Sequence, residues 1–417
     1  MTVQIHYQAP SGWELKSIGS FVENYKGGAS LTPDDFRESG FPVIPKKGVQ
    51  EGGWLVIDEP TYCSESFAES NAQSKVASKH VVVTLRDLVP SGPSIGLAVR
   101  IQQGLEFILS QGTYGLEINE FINPDYFCAL SNSQPYRKAM RRIMVGSTQV
   151  HIRTGEFLDQ KFACPTILEQ NKIAEILSTW DKSIKATERL LENSKKRKKA
   201  LMQQLLTGKK RLPGFNGMWK QGTLENLALI DSGFAFKSTD FTEDSDSVAI
   251  VRMSDFKDGK IDLNDAARVK KEVIAGLDRF QLSGGDFVFG MSGSLSNYGW
   301  VPLNTKTCYL NQRVGRLTPK QGVDRYFLTY LFLSNQIQRS ILDKAAGAAQ
   351  LNISVTDLRK INISYPTSDE QTKIGFLLNL AFKEEEHIFE KLQKLKLEKK
   401  SLIQVLLTGK KRVHVDS

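Results

Sequence analysis

The sequence predicts an α+β protein made twice over: two tandem globular segments of mixed helix and strand, each followed by a long helix, with the helices packed as an antiparallel coiled coil about a pseudo-twofold axis. Three observations predict it. The letters LLTGKKR stand at 205–211 and again at 406–412, 201 residues further on. The phrases PTILEQ (165–170) and PTSDEQ (366–371) precede them at the same offset. Between each such pair, apolar residues recur at alternating steps of four and three, which keeps one face of a helix apolar.

The repeat extends upstream. Shifting the chain by 201 residues places Ile152 on Ile353, Pro165 on Pro366, Glu169 on Glu370, Gln170 on Gln371 and Leu201 on Leu402 without a gap, and also Ser91-Gly92 on Ser292-Gly293 and Gln111 on Gln312. With small shifts, Trp13 corresponds to Trp219, Asp35-Phe36 to Asp240-Phe241 and Tyr126-Phe127 to Tyr326-Phe327. A period this long exceeds any solenoid unit, so it marks a duplicated domain plus helix. The expected division is a first globular segment at 1–158, its helix at 159–211, a second globular segment at 212–359 and its helix at 360–417.

Chemistry bounds each helix. In both PT phrases a Thr is followed three residues later by Glu, so Thr166 and Thr367 are expected to accept an early amide while Glu169 and Glu370 return to the cap. Gly208 and Gly409 suit the left-handed residue that stops a helix, and the neighbouring Lys and Arg suit the negative end of its dipole. The expected packing seam is Ile173, Leu177, Trp180, Ile184, Leu191, Leu201 and Leu205 on the first helix, and Ile374, Leu378, Ile388, Leu392, Leu395, Leu402 and Leu406 on the second. Neither helix is apolar all round, so each needs a partner, and the other helix is the natural one. The first helix leads into the second globular segment and the second leaves it, so full-length packing requires opposite directions. A helix from Glu169 to Leu206 spans about 57 Å at ~1.5 Å per residue, which would hold the globular segments apart.

Within the globular segments, KHVVVTL, SIGLAVRI and LEFILSQGTYGLEI read as strands, and so do VAIVRMSDF, GGDFVFG and KTCYLNQRVGRL. INPDYFCALSNSQPYRKAMRRI and DRYFLTYLFLSNQIQRSIL each read as one helix.

The bulk numbers exclude several classes. A chain of 417 residues, 40% hydrophobic and 24% charged, fits two or three globular domains. It has no run of about 18 apolar residues to span a bilayer. Its first residues lack the apolar stretch of a signal peptide, so a cytoplasmic protein is expected. Cys63, Cys128, Cys164 and Cys308 are scattered, which suits buried fillers in a reducing compartment, and the five His show no ligand spacing, so no metal site is expected. The net charge is +9, a balance that favours a polyanionic partner. Residues 172–211 hold 12 basic and 4 acidic side chains and residues 373–412 hold 10 and 5, so the rest of the chain is slightly acidic.

Three motifs fall short of chemistry. INPDYF (122–127) approaches the NPPY signature of amino-methyltransferases, but Asp125 stands in place of the second Pro. TGKKR contains the GK of a phosphate loop, yet Gln203 and Gln404 stand where that loop needs Gly. KKRKK (195–199) fits either a solvated helix face or phosphate contacts. The stretch GMSGSLSNYGW (290–300) fits either a hairpin loop whose polar residues face solvent or a contact with DNA, because Gly and Ser let a loop approach a backbone while Asn, Gln and Arg read purine edges. Candidate DNA-binding residues are therefore Arg252, Ser292, Ser294, Asn297, Tyr298, Gln312 and Arg313 in the second half, with Lys46, Lys47, Ser91, Ser94 and Gln111 as counterparts in the first.

Taken together, PTILEQNKIAEIL, PTSDEQTKIGFLL, the two LLTGKKR phrases, LPGFNGMW, VRMSDFKDGKI and LNQRVGRL resemble the specificity subunit of type I restriction-modification systems over essentially the full length. The first half departs from the pattern in carrying FPVIPKKGVQEGG where VRMSDF would stand. The resemblance implies a non-catalytic reader of double-stranded DNA, in which each globular segment is a target recognition domain for half of a split site and the helices set the spacing. It further implies two methylation subunits docked on the helices, with endonuclease subunits joining the full complex. S-adenosylmethionine, ATP and Mg would then be held by those partners and no cofactor by this chain. Competing readings are a coiled-coil scaffold without a DNA role, which leaves the paired domains unexplained, and a self-sufficient DNA methyltransferase or nuclease, for which no cofactor pocket is evident.

Overall fold

The structure, a computed structural model, describes residues 9–244, 246–345 and 351–415, and leaves the side chain of Lys46 undescribed. The chain forms two compact units, one of Met1–Glu188 with Glu390–Ser417 and the other of Arg189–Phe389. Each long helix, Ile167–Leu205 and Ser368–Leu406, has 39 residues and is shared between the units, whereas the sequence suggested helical divisions of their own at 159–211 and 360–417. No helix among the described residues is long and apolar enough to cross a membrane.

The cores explain the sharing. In the first unit Ile18, Phe21, Val81, Ile95, Tyr126, Phe127 and Tyr136 pack with Ile173 and Leu177 from the start of the first long helix, and with Leu406 and Leu407 from the end of the second. In the second unit Phe287, Phe289, Phe327, Phe332 and Leu358 pack with Leu205 and Leu206, and with Ile374 and Leu378. The leucines of LLTGKKR are thus core residues of the unit in which the other helix begins. All the expected seam positions are buried or half-buried, with Trp180, Ile184, Leu201, Ile388, Leu395 and Leu402 in the second class.

Each unit contains two larger sheets. In the first, a five-stranded sheet runs in the order Phe36–Arg37, Thr61–Cys63, Phe41–Ile44, Glu106–Leu109, Lys75–Ala77, beside a four-stranded sheet of Val22–Gly27, Thr113–Ile118, Val81–Thr84 and Ala98–Arg100. In the second, a five-stranded sheet runs Phe241–Thr242, Arg268–Lys270, Ser247–Val251, Cys308–Leu310, Gln281–Leu282, beside a six-stranded sheet that includes Ala228–Ser232, Val314–Pro319, Phe287–Gly290 and Tyr298–Trp300. The strands expected from sequence are present. Each stretch expected as one helix is instead two, Pro124–Ser131 with Gln134–Ile143 and Arg325–Phe332 with Asn335–Ala345. Pro135 sits in a first turn, where its missing N–H is harmless but an unbroken helix would be disrupted. In the second pair Ser334 stands at the break, with its hydroxyl 3.4 Å from the amide of Ile337. The four cysteines are free and buried, and burial pushes the Cys308 thiol up to about 12.

Both helix stops are as expected. Gly208 and Gly409 take φ of 69° and 68°, and the amides of Lys210 and Lys411 return to the carbonyls of Gln204 and Val405. The starts differ from expectation, because Glu169 and Glu370 do not return to the cap. Arg412 donates to Glu169 through Nε (2.6 Å) and Nη2 (2.7 Å), while Trp13 Nε1 donates to the same carboxylate at 3.2 Å. Arg211 grips Glu370 in the same fork, at 2.8 and 2.7 Å. The two guanidinium groups lie 5.8 Å from the rings of Trp13 and Trp219. Thr166 Oγ1 does accept the amide of Glu169 at 3.4 Å, as expected, but a bidentate arginine satisfies a buried carboxylate better than one cap amide can, so the other half of the capping box does not form. The adjacent Gln170 donates to the carbonyls of Pro165 and Phe121 and accepts the amide of Asn123, tying the helix start to the globular part.

Ion pairs give the helix direction within each unit. In the first, Glu169, Asp181 and Glu188 meet Arg412, Lys399 and Lys396 in turn, so numbers rise on one helix as they fall on the other. In the second, Lys198 pairs with Glu385 at 2.7 Å and Arg211 with Glu370, again in opposite directions. The clamp is open to test. The Glu169 side chain is only 3% exposed, but Arg412 is 43% exposed, so water softens the loss. Arg412→Ala is expected to cost about 2–3 kcal/mol, toward or below the lower end for stranding a buried charge. Hydrogen exchange should then accelerate at 167–177 and remain unchanged at 368–378; unchanged exchange at both helix starts would count against the clamp.

Candidate nucleic-acid interface

Two parallel strands organise the candidate site in each unit. In the second unit Ser247–Val251 pairs in parallel with Cys308–Leu310, so the residues that follow, Arg252 and Asn311-Gln312-Arg313, emerge at one sheet edge. Main-chain bonds gather two more stretches there. The amide of Phe234 donates to Leu310 O (2.8 Å), that of Gln312 to Phe234 O (2.9 Å), and that of Met291 to Arg313 O (2.9 Å). Ile353 N then donates to Met291 O at 3.0 Å. A Cβ on Gly233 would lie 2.1 Å from Leu310 O, so only glycine allows the 232–236 loop this close.

The first unit repeats this frame with other residues. Phe41–Ile44 runs parallel to Glu106–Leu109, Ala29 N donates to Leu109 O (2.8 Å), Leu85 N to Gly112 O (2.9 Å) and Ile152 N to Leu85 O (2.8 Å). Gly28 holds the place of Gly233, with a Cβ there 1.9 Å from Ser110 O. The bonds equate Gln111 with Gln312 and Leu85 with Met291. Arg86 therefore takes the place of Ser292, a position that ungapped alignment had given to Ser91.

The side chains divide by what they already touch. Gln111, Gln312 and Arg313 are exposed, and none has an internal side-chain hydrogen bond or ion pair among the described residues. Ser91 is exposed as well. Lys47 is exposed and pairs with Glu59 at 2.9 Å. The backbone of Lys46 lies in the turn Lys46–Gly48, and its side chain falls outside the described residues. Ser94 is committed to Asp87, donating to Oδ2 by its hydroxyl at 2.6 Å and by its amide at 2.9 Å. Burial raises the Asp87 pKa, but these bonds and the Val89 amide outweigh it and leave the group below the ordinary value. Ser294 bonds Asn297 Oδ1 at 3.0 Å, which folds the 290–297 loop on itself. Tyr298 is half-buried, its ring 6.0 Å from Phe287 and 5.9 Å from Trp300, and burial raises its phenol pKa. Arg252 stacks at 5.7 Å over Phe241, with its Nε buried and unpartnered. Ser292 bridges by main chain to Asn352.

Two parts of the frame escaped sequence reasoning, the 232–236 loop and Arg86, whose Nη2 donates to Gln149 Oε1 at 2.8 Å. A glycine at the end of a strand, in DSGF and YKGG, was the available signal. INPDYF has a plain structural role, with Asn123 Oδ1 accepting the amides of Asp125 and Tyr126 at a helix start.

Comparison with known proteins agrees with this duplicated arrangement. The sequence pattern of the type I restriction modification DNA specificity domain matches residues 10–194 and again 216–397. The chain is similar to the type I restriction enzyme MjaVIII specificity subunit of Methanocaldococcus jannaschii, 26% identical over 97% of this chain and 94% of that protein. It is also similar to the EcoBI specificity subunit of Escherichia coli, 20% identical over 57% and 55%. In fold it resembles the S subunit of a type I restriction-modification system from M. genitalium, with a TM-score of 0.61 at 16% identity over 97% of this chain and 98% of that one. With both halves matched, the chain belongs to the family of type I restriction modification DNA specificity domains.

Proposed function

We infer that the chain is the DNA-recognition subunit of a type I restriction-modification complex, that each unit reads one half of a split, asymmetric target, and that the chain itself catalyses nothing. One observation carries this reading: the same main-chain frame is built in both units around different side chains. Two frames of one design bearing different residues suit two half-sites of different sequence. Methylation subunits, two per chain, dock on the long helices, and endonuclease subunits join them. S-adenosylmethionine, ATP and Mg belong to those partners, and the complex works in the cytoplasm. The helices set the spacing between half-sites, which for readers on one duplex face means about one helical turn, roughly 34–36 Å, or a multiple.

Three outcomes follow. Methylome sequencing of a host with and without the gene should reveal a split adenine-methylated motif that vanishes on deletion; an unchanged methylome would refute the reading. Because the chain outside its helices is slightly acidic, gel-shift titration should show weak DNA binding by the isolated chain and much tighter binding once methylation subunits are added. Equal affinity in both states would contradict that. Gly233→Ala should displace the 232–236 loop and relax or abolish recognition of one half-site only, seen in the same methylome; an intact motif would show that the loop has no part in reading.

A further inference from the structure

Leu109 with Leu310 and Ile152 with Ile353 are kept at the same places in both edge clusters but are buried, whereas glutamine is kept there as an exposed side chain. Gly112 stands opposite Arg313, Arg86 opposite Ser292 and Ser110 opposite Asn311, yet Gln111 stands opposite Gln312. Both glutamines are exposed. Their backbone is held on two sides. Ala29 bridges Ser110 and Phe234 bridges Asn311 on one side, and the amides of Leu85 and Met291 bind the following carbonyl on the other. The glycine loop closes against the same turn, since a Cβ on Gly28 would lie 3.0 Å from the amide nitrogen of Gln111, and one on Gly233 2.4 Å from the carbonyl carbon of Asn311. A fixed backbone that presents one long unpartnered amide is preorganised for recognition.

The carboxamide has one acceptor and one donor side by side. In the major groove that fork matches adenine, which offers N7 as acceptor and N6–H₂ as donor, whereas guanine offers two acceptors. Resting on the proposal that the units read half-sites, we infer that Gln111 and Gln312 each contact an adenine at the corresponding position of the two half-sites, while their differing neighbours read the bases that differ. This adenine stays stacked in the duplex. It is distinct from a base undergoing methylation, which must leave the stack to reach an active site.

The test uses the full chain co-expressed with its methylation subunits. Gln312→Ala should make one A·T position degenerate in one half-site only, with discrimination there falling roughly 5- to 150-fold, the range for a bidentate contact. Gln111→Ala should do the same in the other half-site. In duplex binding by the assembled complex, 7-deazaadenine at that position removes the N7 acceptor; it should weaken the wild-type protein and leave the alanine variant indifferent. Motifs unchanged in both variants, a uniform loss of methylation without new sites, or wild-type half-sites lacking a shared A·T pair beside the methylated base would each overturn the inference. The absence of any split motif with the wild-type chain would instead overturn the functional reading on which it rests.

Discussion

A carboxylate buried at the start of each long helix must find a cation. Glu169 is 3% exposed and Glu370 2%, and an unpaired charge so placed costs several kcal/mol. The matching fork among the described residues is the arginine just past the stop of the other helix, Arg412 for Glu169 and Arg211 for Glu370. PTxxEQ and LLTGKKR are therefore two sides of one contact. In the second phrase the leucines enter the core, the glycine stops the helix, and the arginine reaches the carboxylate. Because each unit holds the start of one helix and the end of the other, the antiparallel direction and the discontinuous make-up of the first unit both follow from this pairing.

The repeat, the strands, the helix stops and the apolar seam were legible because they depend on local or periodic chemistry. Gly208 and Gly409 announce a left-handed residue wherever they are placed, and a four-three spacing implies a buried face whatever covers it. The clamp was not legible. Thr166 and Glu169 have the spacing of a capping box, and local sequence cannot reveal that a residue 243 positions away competes for the carboxylate. The helix breaks at Ser133 and Ser334 were marked by the polar stretches SNSQP and SNQ, but the helical character of the residues on either side makes each pair read as one helix. The two edge clusters were legible as loops but not as assemblies, since parallel pairing of distant strands is what brings Arg252 to the stretch that starts at Asn311. Arg86 was missed for a related reason: the 201-residue offset holds at the turn of Gln111 but not at Leu85, whose bonds equate it with Met291.

The candidate site is made of backbone more than of side chains. The loop at Gly28 or Gly233, the turn at Gln111 or Gln312 and the strand end at Leu85 or Met291 are joined by amide-to-carbonyl bonds that any residue with an N–H can make. The exceptions are the glycines, where a Cβ would overlap a carbonyl. A frame of this kind holds its shape when the exposed residues change, so two copies in one chain can diverge in what they read without refolding. The same economy explains why several sequence candidates are occupied internally. Ser94, Ser294 and Asn297 shape loops, and Gln111 and Gln312 stand exposed on turns held by the main chain of Ala29 with Leu85 and of Phe234 with Met291.

Charge tells a different story from the one a basic protein usually suggests. The surplus of Lys and Arg lies on the long helices, where part of the basic charge is paired: Lys196 to Glu192, Arg197 to Glu384, and Lys198 to Glu385 while also 4.1 Å from the Phe382 ring. Lys396 and Lys399 face Glu188 and Asp181. A lysine held between a carboxylate and an aromatic ring helps fix helix register and contributes little to a diffuse field around DNA. The globular parts, where bases would be read, carry slightly more acid than base. Phosphate attraction binds every sequence alike, so a reader with little of it leans on base contacts for discrimination and on its assembly for grip. That separation of tasks follows from where the charges lie along the chain, and it could not be inferred from the net charge alone.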